Sequence, residues 1–303
     1  MRLATPFIRL PYRFDAQVLA EEVANLPASA WRKHPSGLPG NSAAPLISRD
    51  GASNDDFYGE MHPTPALDAA PRTEAVMRSF GEVLGRSRFM RLEPGARVPP
   101  HVDFNYHWRR RVRIHVPIIT EPDVLFTCGA ETRHLEAGEA WIFDSWLRHH
   151  VTHDGSKPRV HLVVDLAGSS RFWAMVNGQA EAVLHDSPLR CERCNIPVVM
   201  SPGELELLVA ELMADLRANP DNDAGLLEHY GARLDDFSKD WHEVWLLHGD
   251  AGSGWPAYRS LIQHLRRQLH PKPRALTTAS NNIGANPIIT QRILAPALTG
   301  DQL

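Results

Sequence analysis

Apolar spacing along the chain changes character twice. FDAQVLAEEVANLP sets Val18, Leu19, Val23 and Leu26 on one helical face, with Asp15 placed to cap its start. The polar stretch GNSAAPLISRDGASNDDFYGEMHPTP reads as loop. RTEAVMRSFGEVLGR reads as a second helix, with Val76, Met77, Phe80, Val83 and Leu84 on one side. From about Arg88 the period becomes two. FMRLEPGARVPPHVD, RVRIHVPIIT, DVLFTCG, ETRHLEAGEAWIFDSW, HHVTHDG and PRVHLVVDLAG are short strand-like runs separated by turn residues such as Pro94-Gly95 and Ala137-Gly138. Many short strands with no helix between them predict a mainly β core of the jelly-roll kind. After about residue 200 the helical period returns. SPGELELLVAELMADLRANP opens with Ser201 as N-cap, Pro202 and a capping-box Glu204, and WPAYRSLIQHLRRQL turns Tyr258, Leu261, Ile262, Leu265 and Leu269 inward. The tail from Leu276 is ambiguous. The predicted division is a helical and loop region over 1–87, a β core over 88–175 and a helical region over 176–303.

Composition narrows the function. With 303 residues, 43% hydrophobic, and a formal charge of −4, the chain has no basic footprint for nucleic acid or an anionic membrane. No apolar run suits a signal peptide or a membrane span. Three cysteines are too few for a disulfide framework, so a cytoplasmic location is expected. CERC, with Cys191 and Cys194, has no partner pair for zinc and reads as a surface turn. Of 16 histidines, eight fall between His101 and His161. They direct attention to PPHVDFNYHWRRRVRIHVPIIT, which mixes imidazole and charge into a segment ending as core.

On a strand, residues i and i+2 share a side, so His101 and Asp103 present an imidazole and a carboxylate together. One more histidine would complete the two-histidine, one-carboxylate face used by non-haem Fe(II) sites. FDSWLRHHVTHDG offers His149, His150 and His153, and strand parity lets at most one of His149 and His150 reach the metal. Oxygen activation there needs two electrons, which 2-oxoglutarate supplies as co-substrate. Its far carboxylate then needs a buried cation. Arg159, in the most apolar run of the chain, suits that role, and a buried arginine requires an anion. Pairing with Asp165, or an exposed place at the strand start, are the plain structural alternatives for it.

These residues resemble the aspartyl/asparaginyl β-hydroxylase family, over about Phe89 to Leu166. The shared layout is His101-Val-Asp103, Arg113-Ile-His115, then Gly138-Glu-Ala-Trp141-Ile-Phe-Asp144, His149, and Arg159 ten residues later. The resemblance implies a double-stranded β-helix and selects His149 over His150 as metal ligand. It makes Arg159 the anchor for 2-oxoglutarate and puts Arg113 and His115 beside that co-substrate. Vertebrate members have glycine where this chain keeps Asp103. A serine that helps hold the co-substrate corresponds to Met90, so Arg159 needs another helper.

The function expected on this reading is an Fe(II)- and 2-oxoglutarate-dependent dioxygenase. It would use O2, with ascorbate in vitro, to hydroxylate an amino acid, a peptidyl residue or a related small metabolite. Retention of Asp103 leaves no coordination position for a halide, so hydroxylation is expected over halogenation. The alternative is a cupin-like metal isomerase or hydrolase, or a metal-binding module without turnover. Homodimerisation through the helical C-terminal region is a further expectation. GDAGSGWPAY lacks the Lys-Ser/Thr of a phosphate loop, and WRRR (Trp108 to Arg111) reads as a solvated turn or a clamp for a substrate carboxylate.

Overall fold

The computed structural model describes residues 2–34 and 37–300. Among them, the chain divides into two compact units, Met1–His101 with His107–Asn195, and Val102–Tyr106 with Ile196–Leu303.

The first unit holds two antiparallel sheets. In chain order the strands are β1 (Phe7–Arg13), β2 (Arg32–Lys33), β3 (Asn41–Arg49), β4 (Met61–Pro63), β5 (Leu84–Leu92), β6 (Arg97–His101), β7 (Val112–Ile119), β8 (Val124–Cys128), β9 (Glu131–Arg133), β10 (Glu139–Phe143), β11 (His149–His153) and β12 (Arg159–Leu166). The larger sheet runs β1-β10-β7-β12-β5-β3-β2, with β4 on β3, and the smaller runs β6-β11-β8-β9. From β5 to β12 the chain passes back and forth between the two sheets, which is the winding of a double-stranded β-helix. The expected fold class is therefore observed.

The larger sheet has two unlike faces. Val160, Leu162, Val164 and Leu166 of β12 join Ile114, Val116 and Ile118 of β7 in one apolar cluster, which includes Leu19, Val23 and Met77. Leu19 and Val23 come from the helix Ala16–Asn25, capped as expected by the Asp15 carboxylate accepting from Gln17 N and Val18 N. By strand parity the other face of β12 carries Arg159, His161, Val163 and Asp165. A second apolar cluster draws Phe7, Leu92 and Phe143 from the larger sheet and Val124, Phe126, Cys128 and Val151 from the smaller. It lies between the sheets, so the polar face of β12 looks into the barrel.

Three local readings need correction. The supposed loop after Gly40 contains β3 and β4. Asn41–Arg49 is buried through most of its length and pairs with β5, but its apolar core, AAPLI, is short and interrupted by Pro45. Pro45 is tolerated because its outer edge falls between two short partners: β2 pairs at Ala43 and β4 at Ile47. The N-terminal stretch before Asp15 is also a strand, β1, rather than part of a helical region. The second helix stops at Ser79, and Leu84, assigned to its face, opens β5. Gly81, at φ 63°, makes the break.

The second unit is helical, as expected. Its main helices are Pro202–Arg217, Ala224–His248 and Trp255–Gln268. Ser201 caps the first through Glu204 N. Trp241 and Tyr258, both fully buried, pack with ring centroids 4.4 Å apart. The ambiguous tail forms short helical turns over Ala285–Ala297, and residues 301–303 lie outside the described residues. No described helix is long and apolar enough to cross a membrane.

Candidate metal centre

His101 ends β6 and His149 begins β11, and the two are direct cross-strand partners. Their ring centroids are 4.1 Å apart. Each Nδ1 lies 2.9 Å from a carbonyl oxygen two residues earlier, Pro99 O for His101 and Leu147 O for His149. A carbonyl only accepts, so each Nδ1 carries the proton and each Nε2 keeps a lone pair. Asp103 completes the group: one ligand atom from each of His101, Asp103 and His149 lies within 4.8 Å of the others. That separation and donor set fit a divalent transition metal with positions left open. His150 faces the other way, half-buried and paired in register with Thr127.

Arg159 is 5% exposed, with Nη2 2.7 Å from His161 Nδ1 and no protein partner for Nε. Burial alone pushes its guanidinium pKa down to about 9. Arg159 can only donate, so His161 accepts at Nδ1 and holds its proton at Nε2. Burial first, and Arg159 next, keep His161 well below the usual histidine range. His115 Nδ1 lies 3.4 Å from His161 Nδ1, and neither Nε2 has a protein partner. His161 stands opposite Met90 in the β12–β5 register. Met90 has no group to bond Arg159, and the contact to Arg159 comes instead from His161 on the neighbouring strand. Sequence reasoning gave His161 no role, although Arg159-Val-His161 repeats the spacing of Arg113-Ile-His115.

Arg159 has no ion pair with Asp165. That carboxylate accepts from Arg113 Nε at 2.7 Å and Nη2 at 2.9 Å, and from His107 Nε2 at 3.1 Å. Arg113 also lies over the Trp108 ring, 3.8 Å from its centroid. Arg113 therefore stands on the inward face with its charge matched by Asp165. His107 and Asp165 were the unrecognised half of this network. WRRR is likewise not a solvated turn throughout, since Trp108 is buried and Arg111 pairs with Glu192.

The G-E-x-W-x-x-D residues do scaffolding. Gly138 has φ 82°, and a Cβ there would collide with the carbonyl oxygen of Phe14. Glu139 accepts from Arg9 Nη1 and Trp141 Nε1, each at 2.9 Å. Asp144 takes Leu3 N at 2.8 Å and Trp146 N at 2.9 Å. Together they fasten β1 to β10 and shape the turn that delivers His149.

Comparison with known proteins agrees with the motif spacing. The sequence model of the aspartyl/asparaginyl β-hydroxylase family matches residues 56–168. The aspartyl/asparaginyl β-hydroxylase of Mus musculus is 32% identical over 106 residues, 33% of this chain and 14% of that protein. The L-proline cis-4-hydroxylase of Rhizobium meliloti is 26% identical over 168 residues, 52% of this chain and 59% of the relative. Among solved structures, an oxidoreductase of the 2OG-Fe(II) oxygenase family from Burkholderia pseudomallei aligns with a TM-score of 0.38 and 14% identity, over 54% of this chain and 84% of that one. The chain spans less than two thirds of either curated relative. The stretch that is similar to the aspartyl/asparaginyl β-hydroxylase family, residues 56–168, holds the histidine pair, Asp103 and Arg159.

Proposed function

We propose that this chain is an Fe(II)- and 2-oxoglutarate-dependent oxygenase that hydroxylates an unactivated C–H bond of an amino acid, a peptidyl residue or a related small metabolite. The observation that carries the reading is Arg159. A metal site alone would suit many chemistries, but a guanidinium buried in the barrel wall with its Nε unpartnered calls for an anion there. The relative named L-proline cis-4-hydroxylase puts free amino acids among the substrates to try first.

His101, Asp103 and His149 would hold the iron. Arg159, steadied by His161, would bind the far carboxylate of 2-oxoglutarate. Once bound, iron, O2 and 2-oxoglutarate supply C–H oxidation, with 2-oxoglutarate leaving as succinate and carbon dioxide. The protein's own contribution is orientation and dryness. The Nδ1 bonds to Pro99 O and Leu147 O fix both rings with Nε2 toward the shared point. Phe143 and Phe126 pack beside His149, at ring-centroid distances of 4.8 and 6.2 Å, and keep water from that side.

Two measurements test this. Anaerobic Fe(II) and 2-oxoglutarate together should give the visible charge-transfer absorption of a chelated keto acid. Aerobic incubation with ascorbate should then release succinate. Metal binding without either signal would favour a cupin-like isomerase, hydrolase or binding module.

A further inference from the structure

A second buried guanidinium lies on the inward face of the larger sheet. Arg86, in β5, is 4% exposed. Its Nη1 donates to Asp55 O at 2.8 Å, and Phe57 packs against its plane, 4.0 Å from ring centroid to guanidinium carbon. Nε and Nη2 are both buried without a hydrogen-bond partner in the protein. These two atoms form one edge of the guanidinium, whose parallel N–H bonds match the two oxygens of a carboxylate.

No nearby carboxylate serves that edge. Asp165 Oδ2 is 4.0 Å from Nε, beyond hydrogen-bond length, and Asp165 is already held by Arg113 and His107. Asp55 turns its carboxylate to Arg88 at 3.0 Å and Arg32 at 3.2 Å. Burial, and then Arg88, hold the Arg86 pKa well below its ordinary value, which marks a cation short of compensation.

Position separates this edge from the one at Arg159. In the β12–β5 register Arg159 pairs with Leu92, six residues from Arg86 along β5, or about 20 Å of strand. His115 lies between: it follows Arg113 on the inward face of β7, and Phe143 packs against both it and His149. The barrel wall therefore offers two separate anion anchors, one toward each end.

We propose that Arg86 is a substrate anchor, taking a free carboxylate of the molecule to be oxidised in a side-on, two-bond pair through Nε and Nη2, so that the substrate is a carboxylic acid rather than a neutral compound. The word substrate rests on the oxygenase reading, whereas the carboxylate site does not.

The test is equilibrium binding by calorimetry to the whole 303-residue chain, without turnover. The probes are the proteinogenic α-amino acids as free acids and as their carboxamides, with 2-oxoglutarate and Mn(II) titrated separately. At least one free acid should bind, and its carboxamide should bind roughly a hundredfold more weakly. Arg86→Met should weaken the acid by a similar factor, and Arg86→Lys should recover part of the loss. Circular dichroism and an unchanged Mn(II) titration would show that the variants are folded. The comparison of acid with amide in the unaltered protein needs no variant. No acid binding, equal binding of acid and amide, or full acid affinity in a folded Arg86→Met would each overturn the proposal. Acid binding at Arg86 without any for 2-oxoglutarate or Mn(II) would support this site and sink the oxygenase reading.

Discussion

His149 and His150 put two imidazoles side by side, and β11 lets only the first meet His101 across the ladder. His101→Ala or His149→Ala should therefore abolish tight Fe(II) binding, and His150→Ala should leave it nearly unchanged. Calorimetric titration of metal under nitrogen separates these outcomes, and loss in His150→Ala with retention in His149→Ala would reverse the assignment. Arg159→Ala should weaken 2-oxoglutarate by about 2–5 kcal/mol, the cost of removing one partner from a buried charged pair. Arg159→Lys should be a partial rescue because an ammonium lacks the fork. Unchanged 2-oxoglutarate affinity in the alanine variant would move the anchor elsewhere. The grouped trio was legible from motif spacing, although β6 ends at His101 and Asp103 lies past it, so strand parity is not what places that carboxylate. The burial of Arg159 was legible from its apolar run. The partners of Asp165 were not. Arg113, His107 and Asp165 stand on separate elements, and only the β12–β7 register sets Arg113 opposite Asp165.

The same distinction holds among elements. Strands with clean alternation were legible, as were helices with good caps. β1 and β3 were not, because each owes its strand state to a partner far along the chain, β10 and β5 respectively. Pro45 concealed β3 further. The chain contact behind the Gly138 collision was equally invisible, since Phe14 approaches from 124 positions away (138 − 14). Gly138→Ala should destabilise the fold by about 2 kcal/mol or more, from left-handed backbone and the clash with Phe14 O together. Urea unfolding measures this, and a loss below about 0.5 kcal/mol would mean that β1 can shift away at little cost.

For the molecule as a whole, buried imidazole sets the response to acid. Burial pushes His107 down to about 4 despite its bond to Asp165. Unfolded, the same ring titrates near 6.5, so between those values the unfolded chain binds the extra proton. Stability contributed by neutral His107 is then complete above about pH 6.5 and is lost as pH falls toward 4, on the order of 3 kcal/mol. The midpoint of thermal unfolding should drop across that window, and His107→Gln should flatten the drop; an equally steep variant would assign the effect to other groups. Arg159 leads to a different kind of sensitivity. An anion that binds the folded chain and not the unfolded one raises its stability by about 2.7 kcal/mol at a hundred times its dissociation constant. If that anion is 2-oxoglutarate, the lifetime of this protein against proteolysis would rise and fall with its supply, making the protein's abundance a gauge of that supply. Digestion rates with and without 2-oxoglutarate, in native sequence and in Arg159→Ala, would show whether that gauge exists.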